Sequence, residues 1–160
     1  MRSKALLTFA QILFTVFMYG IGIIVLGGTL FPSVLSILYF WDHSSGMDSL
    51  LRVLGLCLVL SFGYFLFGLL LIFTTSLTRV VLRLNVKEGL YPIGSAVMLK
   101  WMMSSALIIA VRVIFMEFML LTPFCAFFYR LMGAKMGRGV QINSNRVGDI
   151  SLLEIGDNSV

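Results

Sequence analysis

Charge is what this sequence has least of. Asp, Glu, Lys and Arg make up 12% of its 160 residues, against 59% apolar, where a soluble domain carries about 25% charged residues. That balance excludes an ordinary soluble globule and leaves a membrane protein in contact with the lipid bilayer. Cysteine is almost as scarce. Cys57 and Cys125 both fall inside apolar runs, where a thiol behaves as a small hydrophobe, so they can build neither a disulfide framework nor a metal cluster. The net charge of +5 does not point to nucleic acid, because the basic residues are scattered at helix ends with no aromatic-interleaved patch. Neither Gly-x-x-x-x-Gly-Lys-Ser/Thr nor Gly-x-Gly-x-x-Gly occurs, so no phosphate loop is present. The stretch is expected to bind no cofactor and no metal itself.

What the chain has in abundance is long apolar runs. A hydrocarbon core of roughly 30 Å takes about 20 helical residues, and two runs satisfy this. The first covers about 5–31 and is expected to end or kink at Pro32, with Tyr39, Phe40 and Trp41 as an aromatic belt at the far interface. Its length and the lack of a small-residue cleavage site argue for a retained anchor rather than a signal peptide. Gly20 and Gly27 share a face that would permit close helix contact. The polar stretch Asp42 to Asp48 reads as a non-cytoplasmic turn. A second span covers about 50–77, within which Thr74, Thr75 and Ser76 are expected to bond back to helix carbonyls. Arg79, Arg83 and Lys87 follow it. With Arg2 and Lys4, they predict a cytoplasmic connection and a cytoplasmic N-terminus.

The third apolar segment, about 97–121, differs from the first two. Arg112 and Glu117 interrupt it, and charges at mid-span cost several kcal/mol unless paired or hydrated. Both ends are basic, at Lys100 and at Arg130, Lys135 and Arg138, so one crossing would put a basic end on the wrong side. A re-entrant or interfacial helical segment over 89–130, folded at Thr122-Pro123 and returning the chain to the cytoplasm, answers this. A third crossing is the alternative.

The tail from Arg130 to Val160 is the one stretch that does not read as lipid-facing helix. Met136, Ile142 and, after one slipped residue, Ile155 are each followed by a small or polar residue: Gly137, Asn143 and Gly156. This is hexapeptide spacing, in which each face of a triangular coil takes about six residues. The fold class expected is therefore an α-helical integral membrane protein, a transmembrane hairpin over 1–88 plus the broken segment, leading over 131–160 into the first coil of a left-handed parallel β-helix. One coil cannot bury a continuous core alone. The expectation is a truncated repeat domain, or one that leans on its own helices or on another subunit. Gly133, Gly137 and Gly139 read as backbone freedom at the coil entry, and Asp157 as a corner residue bonding its own backbone.

Gly89-x-Tyr-Pro-x-x-Ser95, Leu99-Lys-Trp101, Thr122-Pro-Phe124, the run Tyr129 to Gly137 and Leu152-Leu-x-Ile-Gly-Asp157 together give the sequence a likeness. Over about residues 89–157 it resembles the membrane-embedded C-terminal region of Pls-type nonribosomal peptide synthetases, the ε-poly-lysine synthetase-like family. In that family pairs of transmembrane helices alternate with cytoplasmic hexapeptide-repeat domains related to acyltransferases. The resemblance implies a membrane-anchoring part of an acyl or aminoacyl transferase. Its donor in the complete protein would be acyl-CoA or a phosphopantetheine-carrier thioester, and its partners further hexapeptide-repeat domains or subunits and a carrier domain. Adenylation and carrier domains do not appear in this sequence, so a complete active site is not expected. The alternative is a non-catalytic membrane anchor docking on a partner's β-helix.

Catalytic candidates are few. His43, the only histidine, is a suitable general base by pKa but falls in the turn expected on the opposite side from the repeats, so it reads as a solvated loop residue. Arg112 could hold a phosphate or carboxylate and Glu117 could act as a base in a polar crevice. Equally, each could meet a polar partner on a neighbouring element. Met102, Met103, Met116 and Met119 read as packing residues.

Overall fold

The computed structural model describes the backbone from Arg2 to Val160 and side chains from Thr8 onward. The Arg2 and Lys4 side chains, expected to mark the cytoplasmic face, therefore lie outside the described side chains. Four helices and two very short strands follow in order. Three of the helices, over Thr8–His43, Ser49–Val81 and Ala96–Ile114, are long and apolar enough to cross a membrane. The chain divides into two compact units, the first ending at Phe67 and the second beginning at Gly68.

The first unit is a hairpin made by α1 (Arg2–His43) and the first half of α2 (Ser49–Val81). Pro32 was expected to end or kink the first span; the span does not end there, and α1 continues through it to His43. Proline frees the carbonyl of Gly28, one bond. Ending the helix in apolar surroundings would leave several more backbone groups unpaired, so continuing is the cheaper outcome. Hydroxyls on either side tie back to the helix: Thr29 Oγ1 donates to the Val25 carbonyl at 2.9 Å and Ser36 Oγ to the Pro32 carbonyl at 2.9 Å. The helices touch where side chains are small. Ser33 Oγ donates to the Gly63 carbonyl across the hairpin at 2.7 Å, and a Cβ on Gly55 would stand 2.3 Å from the Phe40 ring. Gly20 and Gly27, expected to allow such contact, face open space instead.

In the second unit the expected apolar segment 97–121 is not one element. Helix α3 spans Ala96–Ile114, starting where Ser95 Oγ accepts the Met98 amide at 3.2 Å, an N-cap of the ordinary kind. It stops at Phe115, a 3₁₀ turn covers Met116–Phe118, and α4 (Pro123–Leu131) begins with proline at its first position, where the missing amide costs nothing. Two breaks thus replace the single expected fold at Thr122-Pro123. Arg112 consequently sits in the last turn of α3, where the helix dipole favours a cation, and Glu117 is exposed in the turn beyond. Neither charge is at mid-helix, which removes the cost that the uninterrupted segment implied.

The core of this unit gathers Leu71 and Ile72 of α2, Val111 of α3, Met116, Phe128 and Tyr129 of α4, and Ile150, each at most 1% exposed. Gly68 lets the Phe115 ring pack against α2, since a Cβ there would lie 2.2 Å from it. Met103, Met116 and Met119 are buried packing residues, whereas Met102 is exposed. After α4, strand β1 (Lys135–Met136) pairs in parallel with β2 (Glu154–Ile155), Met136 facing Ile155. Three amides extend the pairing: Lys135 to the Leu153 carbonyl, Gly137 to Ile155 and Gln141 to Ser159, each at 2.9 Å and each eighteen residues apart in sequence. Beyond this one pairing no β-helix is formed among the described residues.

Candidate functional site

The segment 142–149, between the two strands, lies against α3, the 3₁₀ turn and α4, and each of them grips it. Arg112 Nη2 donates to the Val147 carbonyl at 2.8 Å. The Asn145 amide donates to the Glu117 carboxylate. Tyr129 Oη donates to the Ser144 carbonyl at 3.2 Å, and the Leu121 amide to the Ile142 carbonyl at 3.0 Å. At the far end Trp101 Nε1 donates to Asp149 Oδ1 at 2.5 Å, fixing a residue whose φ of 44° is left-handed. Arg112 and Glu117 are thus brought to the same segment but not to each other; no ion pair joins them among the described residues.

Burial tunes two of the groups beneath this segment. Desolvation pushes the Cys125 thiol up to about 11 and the Tyr129 phenol up to about 12; Cys125 adds to the latter shift and Arg112 opposes it. Both groups are neutral at physiological pH and suited to packing rather than proton transfer.

The turn between α4 and β1 is held from α2. Arg79 Nη1 donates to the carbonyl of Leu131, the last residue of α4, at 3.0 Å, satisfying an orphan helix carbonyl with a cation. Gly133 makes room for it: its φ is +97° and a Cβ there would stand 2.2 Å from Arg79 Nη2. This arginine was read from sequence only as a topology marker. Its partner lies 52 residues away, and nothing in local pattern announces it. Gly139, with φ +67°, likewise supplies the freedom expected at the coil entry. Gly137 differs. Its φ is not left-handed, and its glycine is required because a Cβ would meet Asp157 Oδ1 at 2.2 Å and the Asp157 amide nitrogen at 2.6 Å. Asp157 bonds the neighbouring layer rather than its own backbone, Oδ1 accepting the Arg138 amide at 2.6 Å.

Two adjoining cavities, of about 380 and 410 Å³, open beside the docked tail. They share Val86, Lys87, Glu88 and Leu152. Gly89, Tyr91, Trp101 and Asp149 line the first, Lys135 and Glu154 the second. Residues from the sequence motifs at 89–95, 99–101 and 152–157 therefore converge on one cleft. Its chemistry is an aromatic wall with basic and acidic groups at the rim. The Lys135–Glu154 ion pair at 3.5 Å is exposed on both sides, so it adds little stability.

His43 is elsewhere. It is the last residue of α1 in the first unit, stacked on Tyr39 with centroids 4.1 Å apart, its Nδ1 2.9 Å from the Tyr39 carbonyl. Comparison with protein-family models, with curated proteins and with solved structures found no match.

Proposed function

We propose that this chain is the membrane-anchoring part of an acyl or aminoacyl transferase of the hexapeptide-repeat type, similar to the C-terminal region of a Pls-type peptide synthetase. The observation that carries the reading is the parallel ladder of amides eighteen residues apart, the offset that one coil of three six-residue faces generates. Residues 131–160 are then the first coil of a left-handed β-helix, seated on α3 and α4, with α3 to α4 as a re-entrant or interfacial segment that keeps the coil at the cytoplasmic face. Against the expectation from sequence that this stretch binds no such group itself, the cleft between 86–91 and 149–154 would receive the donor, a CoA or carrier-bound pantetheine thioester. Its long, partly apolar arm suits Trp101 and Leu152, with Lys87 at the rim for an anionic end.

In the transfer, the acceptor's amine or hydroxyl attacks the thioester carbonyl carbon, the C–S bond breaks, and the thiolate takes up the proton the acceptor loses. The tail contains no histidine, so the general base would come from residues outside the coil, and this chain supplies anchoring and donor binding. Arg112 and Glu117 act as positioning residues for segment 142–149. The tail's one short β1–β2 pairing, less than a repeat domain needs to bury a core, favours a second reading, a non-catalytic anchor whose coil docks on a partner's β-helix.

Photolabelling separates the two. The whole chain, reconstituted in lipid nanodiscs, is irradiated with a diazirine-bearing pantetheine thioester and digested. Labelling within 86–101 or 149–154, reduced by Trp101→Ala and by excess unlabelled CoA, is the expected result. Absence of label there, with stable capture of an added hexapeptide-repeat domain, would give the anchor reading instead.

A further inference from the structure

A groove in the first unit has a chemistry that the transferase reading does not use. It has a volume of about 560 Å³ and lies between α1 and α2 at their connected ends. Leu35, Val59 and Phe62 line the part farther from the loop, where Ser36 turns its hydroxyl back to the Pro32 carbonyl, while His43 and Ser44 bring polarity to the loop end. From Leu35 to His43 it runs about 12 Å along α1 at 1.5 Å per residue. An apolar trough ending in polar groups, on helices of membrane-spanning length, matches an amphiphile rather than a soluble metabolite.

A cation stands at the polar end. Arg52 Nε donates to Ser44 Oγ at 3.1 Å and Nη2 to the Trp41 carbonyl at 3.3 Å, and its guanidinium carbon lies 4.1 Å from the Trp41 ring centroid. Ser44 lines the groove, and Met47 is common to it and to the smaller cavity lined by Arg52. Those two bonds use two of five guanidinium donors. Asp42, in the last turn of α1, and Asp48, at the end of the loop, flank this corner, yet among the described residues neither forms an ion pair with Arg52, and Asp48 Oδ2 accepts the Leu50 amide instead. A stacked, oriented arginine without a carboxylate partner at a membrane interface is suited to a phosphate.

We propose that the α1–α2 hairpin binds one anionic phospholipid, an acyl chain lying along Leu35, Val59 and Phe62 and the phosphate on Arg52. This is independent of the donor cleft and of any transferase activity.

Native mass spectrometry of the whole chain, released from detergent with phosphatidylglycerol or phosphatidylcholine of matched chains, reads the complex directly. One phosphatidylglycerol is expected to stay bound, at about fivefold higher affinity than phosphatidylcholine, the ratio that one basic residue at an anionic surface supports. Arg52→Gln should erase that preference and Arg52→Lys restore part of it. Val59→Trp, or Ser36→Leu if the first fails to accumulate, fills the trough and should reduce retention of both lipids. Excess glycerol phosphate should not compete, because it lacks the chain. Equal retention of the two lipids by the unsubstituted chain, or a preference unchanged by Arg52→Gln, would overturn the proposal.

Discussion

Replacing Gly137 with alanine is a sharp test of how the tail is built, because the sign of the effect depends on the pairing. Gly137 does not use a left-handed φ, so by backbone conformation alone alanine would stabilise by roughly 0.4–1 kcal/mol through the unfolded chain. The neighbouring layer reverses that. The new Cβ would meet Asp157 at its amide nitrogen and at its Cα, 2.6 and 2.8 Å away, and backbone cannot swing aside as a side chain can. Separating the layers loses the Gly137–Ile155 bond at 2.9 Å, the Asn158–Arg138 bond at 2.7 Å and the Arg138–Asp157 bond at 2.6 Å. At about 0.5–1.5 kcal/mol each, the three give roughly 1.5–4.5 kcal/mol, or about 10- to 1,000-fold in the opening equilibrium. Hydrogen–deuterium exchange of the chain in nanodiscs measures this at the amides of 137, 138 and 158. Gly137→Ala should lower their protection by that range and leave the α1–α2 hairpin unchanged. Equal or higher protection would refute the layered pairing of 135–141 with 153–159.

Other substitutions probe the grip on segment 142–149. Arg112→Leu removes a charged donor to the Val147 carbonyl and should weaken local protection there by roughly 1.5–3 kcal/mol, with exchange at 142–149 as the readout; Glu117→Gln keeps a bond to Asn145 and should cost less. Tyr129 holds its proton more tightly folded than unfolded. Its contribution is therefore complete below the ordinary phenol value of 10 and is lost as pH rises through about 12; the docked segment should loosen across that window, followed by exchange at 142–149, and Tyr129→Phe should diminish the loosening, leaving the part that the Cys125 thiol contributes. Cys125, buried with its thiol pushed up to about 11, should resist iodoacetamide at pH 7.5 until the protein is unfolded, which peptide mapping reads directly. Arg79→Met should leave the Leu131 carbonyl uncapped and destabilise α4 by about 1 kcal/mol, seen as faster exchange at 131–134.

Much of the helical layout was legible because it depends on composition. Uncharged runs of membrane length gave α1 and α2, the apolar segment from about 97 gave the start of α3, and the fold expected at Thr122-Pro123 is where α4 begins. Helix ends were less legible. α1 and α2 extend well past 31 and 77, since apolarity on every side leaves no periodic boundary and Pro32 is tolerated where no water competes for the backbone. The stop at Phe115 carries no proline or glycine. It is set by the packing of Phe115 against Gly68 and by Leu121, whose amide bonds Ile142 while its φ is +62°. The candidate site shows the same division. Hexapeptide spacing located Met136 and Ile155, which do face each other. The partners of Arg79, Arg112, Glu117 and Trp101, by contrast, lie from 28 to 52 residues away, beyond the reach of any local pattern.

The side of the membrane on which the tail lies bears most directly on the proposed function, because CoA and carrier thioesters are cytoplasmic donors. With Cys57 and Cys125 replaced by serine, single cysteines at Ser45 and at Ser159 can be titrated with a membrane-impermeant maleimide in intact cells and again after permeabilisation. Ser159→Cys is expected to react only after permeabilisation while Ser45→Cys reacts in intact cells. A Ser159→Cys that reacts in intact cells would place the tail on the side away from thioester donors and contradict the proposed function.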